Sequence, residues 1–137
     1  MSSKLVPIEP KATGRLRILL VEDSFDVAEP LVKQLRQAGH DCRLATSASE
    51  ALALAPYYRP GIVLIDIGLP DMDGWELARR LPGGSLLIAV TARGEADDFE
   101  RSRAAGIGYH LVKPAFQKQL HELLARLDCP PSDRGPF

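Results

Sequence analysis

The chain has 137 residues, 45% hydrophobic and 26% charged, which fits one soluble globular domain of ordinary size. A formal net charge of -1 argues against a large nucleic-acid footprint, no apolar run reaches membrane-spanning length, and the N-terminus lacks a signal-peptide pattern. Cys42 and Cys129 fall in a predicted strand and a Pro-rich tail, so no structural disulfide is expected and a cytoplasmic location is.

Residues 1–15, with Pro7, Pro10 and Gly14, read as a flexible leader. Arg17 to Val21 is a continuous apolar strand that ends in Glu22-Asp23. Val27, Leu31 and Leu35 then recur at helical spacing up to Gly39, a natural C-terminal cap; Pro30 is tolerated in such a helix only near its first turn. Cys42 to Ala45 is a short second strand. Ser47-Ala48-Ser49-Glu50 has capping-box form and opens a second helix, expected to end before Pro56. Ile62 to Ile65 is the third strand. It runs into Asp66-Ile67-Gly68-Leu69-Pro70-Asp71-Met72-Asp73-Gly74, where Asp71 and Asp73 read as turn formers.

Trp75 to Leu81 is a third helix, stopped by Pro82-Gly83-Gly84, in which Trp75 is expected to pack rather than to bind a cofactor. Leu86 to Val90 is a fourth strand ending in Thr91-Ala92, followed by a helix from about Glu95 to Ala105 with Gly106 as its cap. Thr91 could also cap that helix. Tyr109 to Val112 is a fifth strand that exits through Lys113-Pro114. Leu120, Leu123, Leu124 and Leu127 form the apolar stripe of a last helix. The domain is thus expected over residues 16–128, with a flexible tail over 129–137.

Strands apolar on both faces, alternating with amphipathic helices, imply an α/β fold with a parallel sheet covered on both sides. In such open sheets ligands bind at the carboxyl ends of the strands. Glu22, Asp23, Asp66, Thr91 and Lys113 all end strands, so the pattern predicts that they meet at one edge. A carboxylate leaving a buried strand needs a compensating partner. Three carboxylates beside one amine suit a hard divalent cation, Mg2+ or in its place Mn2+. Asp23 and Asp66 would be direct ligands with the backbone carbonyl of Gly68, and Glu22 would act directly or through water. Asp66, kept ionised there, could attack a phosphoryl group, whose charge the Lys113 ammonium and the Thr91 hydroxyl would meet. His40 and His121 lie too far apart in the pattern to suggest zinc.

The acidic pair Glu22-Asp23, the segment from Asp66 through Leu69-Pro70 to Asp73-Gly74, Thr91-Ala92 and Lys113-Pro114 resemble, in that order, the motifs of response-regulator receiver domains of two-component signalling. The likeness spans roughly residues 16 to 127. It implies a flavodoxin-like (βα)5 fold, doubly wound on a five-stranded parallel sheet with helices on both faces. It implies Asp66 as phosphoacceptor, Asp23 and Asp66 as Mg2+ ligands, and Thr91 and Lys113 as contacts of the phosphoryl group. The donor would be a histidine kinase or a histidine phosphotransfer protein. The chain would be a signalling domain with at most slow self-dephosphorylation, not an enzyme with its own substrate. It would bind neither nucleic acid by itself nor membrane. Output would pass through the face of helix 4, strand 5 and helix 5, which could also form a homodimer, or through onward transfer to a histidine.

One position departs from that family. The switch is usually Thr91 with an aromatic residue three places before the lysine, and here that place holds His110. Tyr109, one place earlier, should face the other side of the sheet. His-Leu-Val-Lys-Pro and Asp-Ile-Gly-Leu-Pro resemble receivers of hybrid histidine kinases and phosphorelays, so a receiver module of a hybrid kinase is an alternative. A second departure is that nothing resembling an output domain follows the last helix; the Met1 start and the natural-looking tail favour a stand-alone protein. A degenerate receiver that only binds partners is opposed by the intact site residues. A Mg2+-dependent phosphohydrolase using Asp66 would need a second carboxylate two residues on, where Gly68 stands.

Overall fold

The computed structural model describes residues 16–92, 96–113 and 116–127. The expected leader and tail, Cys129, Glu95 and Pro114 lie outside the described residues. Strands and helices alternate along the chain as β1 (Arg17–Val21), α1 (Phe25–Gln37), β2 (Asp41–Ala45), α2 (Ala48–Tyr58), β3 (Ile62–Asp66), α3 (Gly74–Arg80), β4 (Leu86–Thr91), α4 (Ala96–Ala104), β5 (Tyr109–Val112) and α5 (Gln117–Leu127). The sheet is wholly parallel in the order β2-β1-β3-β4-β5. The order reverses between β1 and β3, and the crevice outside the carboxyl ends of those two strands is where this architecture places ligands.

Alternate residues of each strand feed two separate cores. Leu19, Val21, Val63, Ile65 and Ala89 pack with α2, α3 and the turn after α4, whereas Ile18, Leu20, Leu64, Ile88 and Val90 pack with α1 and α5. Both faces of the sheet are therefore dry, as its unbroken apolar strands require. Cys42 is a free thiol in the second core, and burial pushes its pKa up to about 11, so it stays protonated and inert at neutral pH. Among the described residues no helix is long and apolar enough to cross a membrane.

The caps follow the sequence signals. Gly39 and Gly106 both take positive φ, 97° and 86°. Each closes its helix with paired bonds, His40 N–H to Leu35 O and Gly39 N–H to Arg36 O for α1, Ile107 N–H to Ser102 O and Gly106 N–H to Arg103 O for α4. At α2, Ser47 accepts from Glu50 N–H, but Glu50 reaches back one residue further than a standard capping box, to the N–H and hydroxyl of Thr46.

Two prolines correct the reading from sequence. Pro30 stands in the second turn of α1, and Pro56 stands inside α2, which continues to Tyr58. Pro30 and Asp26, whose carbonyl loses its partner, both lie on the exposed side of α1, where water can replace the missing bond. In α2 the apolar stripe Ala48, Ala51 and Ala55 holds the helix to the sheet through the proline, and the chain turns only at Arg59, in the left-handed region with φ 54°.

Candidate functional site

β1 and β3 are neighbours in register, Val21 opposite Ile65, so the residues that follow them emerge side by side. Glu22, Asp23 and Asp66 each offer a carboxylate oxygen, and these oxygens all lie within 4.8 Å of one another. From the far side of the sheet, β5 delivers Lys113, whose Nζ lies 3.1 Å from Glu22 Oε1 and 3.8 Å from Asp66 Oδ2. The structure thus brings together four of the strand-end residues expected to meet.

Glu22 is buried, Asp23 is exposed, and the side chain of Asp66 is only 13% exposed. Burial holds the pKa of Glu22 above the usual carboxylate value. The Ser24 N–H, 3.1 Å from Oε2, and the Lys113 ammonium work against that rise, while repulsion from Asp66 adds to it. Asp66 Oδ1 accepts the N–H of Gly68 at 3.1 Å, which orients the carboxylate and leaves Oδ2 toward Lys113. Three acids held against one ammonium leave a charge excess that a divalent cation with oxygen ligands would offset, so the donor set suits Mg2+. For Gly68 the structure shows the N–H on Asp66.

Thr91 ends β4 as a buried residue, one place beyond Val90, the register partner of Asp66. Its carbonyl accepts Lys113 N–H at 2.8 Å, so the backbones that carry the hydroxyl and the ammonium are bound to each other. His110 lies elsewhere. It pairs with Ala89 on the α4 side of the sheet, where its Nδ1 stands 2.8 Å from Ser102 Oγ. Tyr109 packs into the core on the other side, so it does not replace His110, as strand alternation required.

Sequence reasoning missed the partners of three side chains. Asp71, taken as a turn former, reaches across to α2 and accepts from Ala48 N–H, Ser49 N–H and Ser49 Oγ, each at 3.0 Å. Asp73 is the N-cap of α3, accepting from Glu76 N–H at 2.8 Å. Trp75 is buried, as expected of a packing residue, but its indole N–H also donates to Ser102 at 3.0 Å. Ser102 carried no sequence signal except that α4 turns a polar stripe inward.

Comparison with known proteins places this architecture. Residues 18–125 match the family described as the response regulator receiver domain. The phosphate regulon transcriptional regulatory protein PhoB of Pseudomonas aeruginosa is 33% identical over 124 residues, covering 87% of this chain and 53% of that protein. The virulence sensor protein BvgS of Bordetella bronchiseptica is 33% identical over 98% of this chain, which is 12% of its own length. The chain therefore spans about half of one relative and a small part of the other. Among solved structures, the non-phosphorylated HemR receiver domain of Leptospira biflexa superposes with a TM-score of 0.76 at 28% identity, covering 89% of this chain and 99% of that one. A CheY-like receiver domain of Methanospirillum hungatei does so at 0.74 and 30% identity, over 80% of this chain and 90% of that one.

Proposed function

This chain belongs to the response regulator receiver domain family of two-component signalling, and from that premise we propose that Asp66 accepts a phosphoryl group from a phosphohistidine. The observation that carries the reading is the convergence of Glu22, Asp23 and Asp66 with the Lys113 ammonium at the carboxyl edge of the sheet. An Asp66 carboxylate oxygen attacks phosphorus and forms an O–P bond. The P–N bond of the donor breaks, its electron pair returns to the imidazole nitrogen, and an acyl phosphate remains on Asp66. Lys113 and the Thr91 hydroxyl meet the charge on the equatorial oxygens. Asp23, Asp66 and the Gly68 carbonyl would hold Mg2+, or Mn2+ in its place, with Glu22 directly or through water. The ion would shield the acceptor carboxylate from the incoming anion. The phosphodonor would be a histidine kinase or a histidine phosphotransfer protein in the cytoplasm, and output would pass through the α4–β5–α5 face, as partner binding or as a homodimer.

The match to BvgS along nearly the whole chain supports a second reading, in which the same chemistry serves a receiver module of a larger sensor protein. With Mg2+ and acetyl phosphate, intact mass should rise by one phosphoryl group, and Asp66→Asn should abolish the gain. Unchanged wild-type mass under saturating donor, with Mg2+ binding verified by calorimetry, would leave a receiver that only binds partners. In the same calorimeter Asp23→Ala should bind Mg2+ at least about tenfold more weakly, the effect of losing one charged ligand.

A further inference from the structure

The opposite end of the sheet carries charge that the acceptor site does not use. Arg17 opens β1 and Asp41 opens β2 as register partners, and Arg43 lies two residues further along β2, so all three side chains leave the same sheet face. α2 covers that face and ends there with Tyr57, Tyr58 and, just past the helix, Arg59. These six residues line one open cavity of about 670 Å3, a size that suits a small ligand. Three guanidinium groups meet one carboxylate there, on a chain whose formal net charge is -1. Among the described residues no carboxylate pairs with Arg17, Arg43 or Arg59.

The arginines are oriented without being neutralised. The Arg43 guanidinium lies 4.9 Å from the centre of the Tyr58 ring and that of Arg17 lies 5.9 Å from it. The Tyr58 hydroxyl donates in turn to Asp41 O at 3.0 Å, which fixes the ring. Arg17 also donates to the carbonyl of Arg59. A ring and a carbonyl, both uncharged, thus hold cations that keep their full charge. Arg59 is, among the described residues, the one non-glycine residue with positive φ, 54°. Glycine or asparagine ordinarily takes such a left-handed helix end, because a Cβ crowds the backbone there. A guanidinium therefore stands where local structure favours no side chain. Tyr57 beside it is 85% exposed, and neither residue packs into either core.

We propose that this cavity binds a nucleotide with at least two phosphates, the phosphates on Arg17, Arg43 and Arg59 and the base on the exposed ring of Tyr57. Guanidinium forks match phosphate oxygens in pairs, and three of them exceed what a single carboxylate ligand would neutralise. A tyrosine ring in water offers a stacking face that any base can use. An acidic peptide would match the charge but would leave Tyr57 without a role. Three arginines span two or three phosphates, which suits a small ligand rather than a nucleic-acid strand. The cavity lies at the far end of β1 from Glu22, so the proposal stands apart from the reading of Asp66 as phosphoacceptor.

Calorimetric titration of the whole chain with ADP, GDP and inorganic pyrophosphate tests the site. EDTA is present throughout, so that no cation bridges phosphate to Glu22, Asp23 and Asp66. At least one nucleotide should bind with a Kd below about 1 mM, and more tightly than pyrophosphate. Arg43→Gln should weaken it at least about tenfold, the effect of one charge-assisted contact. Arg59→Gly removes a guanidinium and puts at φ 54° the residue that prefers it. It should unfold at no lower a temperature than the wild type and still bind at least about tenfold more weakly. Tyr57→Ala should weaken the nucleotide about tenfold and leave pyrophosphate unchanged. No binding of either nucleotide up to about 1 mM, or an arginine variant that binds as the wild type does, would overturn the site. Unchanged nucleotide binding in Tyr57→Ala would refute the base contact. A hexaaspartate peptide that competes as strongly as the nucleotide would assign the patch to an acidic protein instead.

Discussion

α5 and α4 cover opposite faces of the same sheet, and they are held by different physics. α5 buries Leu120 and Leu124 almost completely, with Leu123 and Leu127 half-buried against the same core. α4 buries Asp98 and Ser102. Apolar burial is nondirectional and grows with area, so a small displacement of α5 loses little until whole side chains emerge. A hydrogen bond fails within half an ångström and a few tens of degrees, so α4 has one seat and leaves it when its partners move. The strands repeat the contrast. β3 is buried along Ile62 to Ile65, while all four residues of β5 are half-buried. One side of the molecule is thus held by buried apolar area, and the edge next to Thr91 and Lys113 more by directed polar contacts.

The largest test of that contrast is global stability. Leu120→Ala removes a fully buried side chain and should cost about 3 kcal/mol in urea unfolding. Phe99→Ala, on α4, should cost less than about 1 kcal/mol, because the ring is part-exposed and packs mainly on His110. Equal costs would mean that α4 is held by area after all, and the comparison would break.

A smaller effect belongs to the acidic site, the polar exception in the apolar half. Burial, and then repulsion from Asp66, raise the pKa of Glu22 against the pull of Ser24 N–H and Lys113. A carboxylate with a raised folded pKa contributes nothing below its ordinary value of 4.5, and its ionised form destabilises the fold as pH rises above that value. Glu22→Gln should therefore raise Tm at pH 7 without metal, by roughly 3 °C for about 1 kcal/mol. It should change little at pH 4. Mg2+ should stabilise the wild type at pH 7 more than the variant. A variant less stable than wild type at pH 7 without metal would show that the ion pair with Lys113 outweighs the cost of burial.

The half held by apolar area was legible in the sequence because its signals are local. Apolar runs mark the strands, Gly39 and Gly106 mark the helix ends, and the polar residues closing β1, β3, β4 and β5 point to one edge of the sheet. The pattern failed where a side chain acts across the fold. Asp71 looks like a turn residue because its partners are 22 and 23 residues earlier in the chain. Ser102 looks like a surface residue because two elements elsewhere supply its bonds. Pro30 and Pro56 look like helix breakers because propensity is a local quantity, whereas burial of Leu31, Leu35, Ala51 and Ala55 outweighs one lost bond. His110 stands out in the sequence for the aromatic residue it replaces, whereas its partners Ser102 and Phe99 are set by the fold.

α2 lies between the two cases and tests the contrast most finely. It has an apolar stripe, Ala48, Ala51 and Ala55, and also a directional tether, the Asp71 carboxylate on Ala48 N–H, Ser49 N–H and Ser49 Oγ. Those backbone N–H groups at the start of a helix have no partner within it, and a carboxylate there is favoured by the helix dipole as well. They hold the pKa of Asp71 below its ordinary 3.8. The linkage runs opposite to that of Glu22. A depressed carboxylate stabilises the fold above its unfolded value and loses that contribution as pH falls from 3.8 through the lower folded value. Asp71→Ala should free only the amides at the start of α2, with Ala48 and Ser49 exchanging faster at neutral pH while the remaining turns, pinned by the alanine stripe, keep their protection. In the wild type the same two amides should lose protection only below about pH 4, where carboxylates protonate. If the whole of α2 loosened in Asp71→Ala, small alanine faces would not suffice to seat a helix. A directional tether would then matter in α2 as much as in α4.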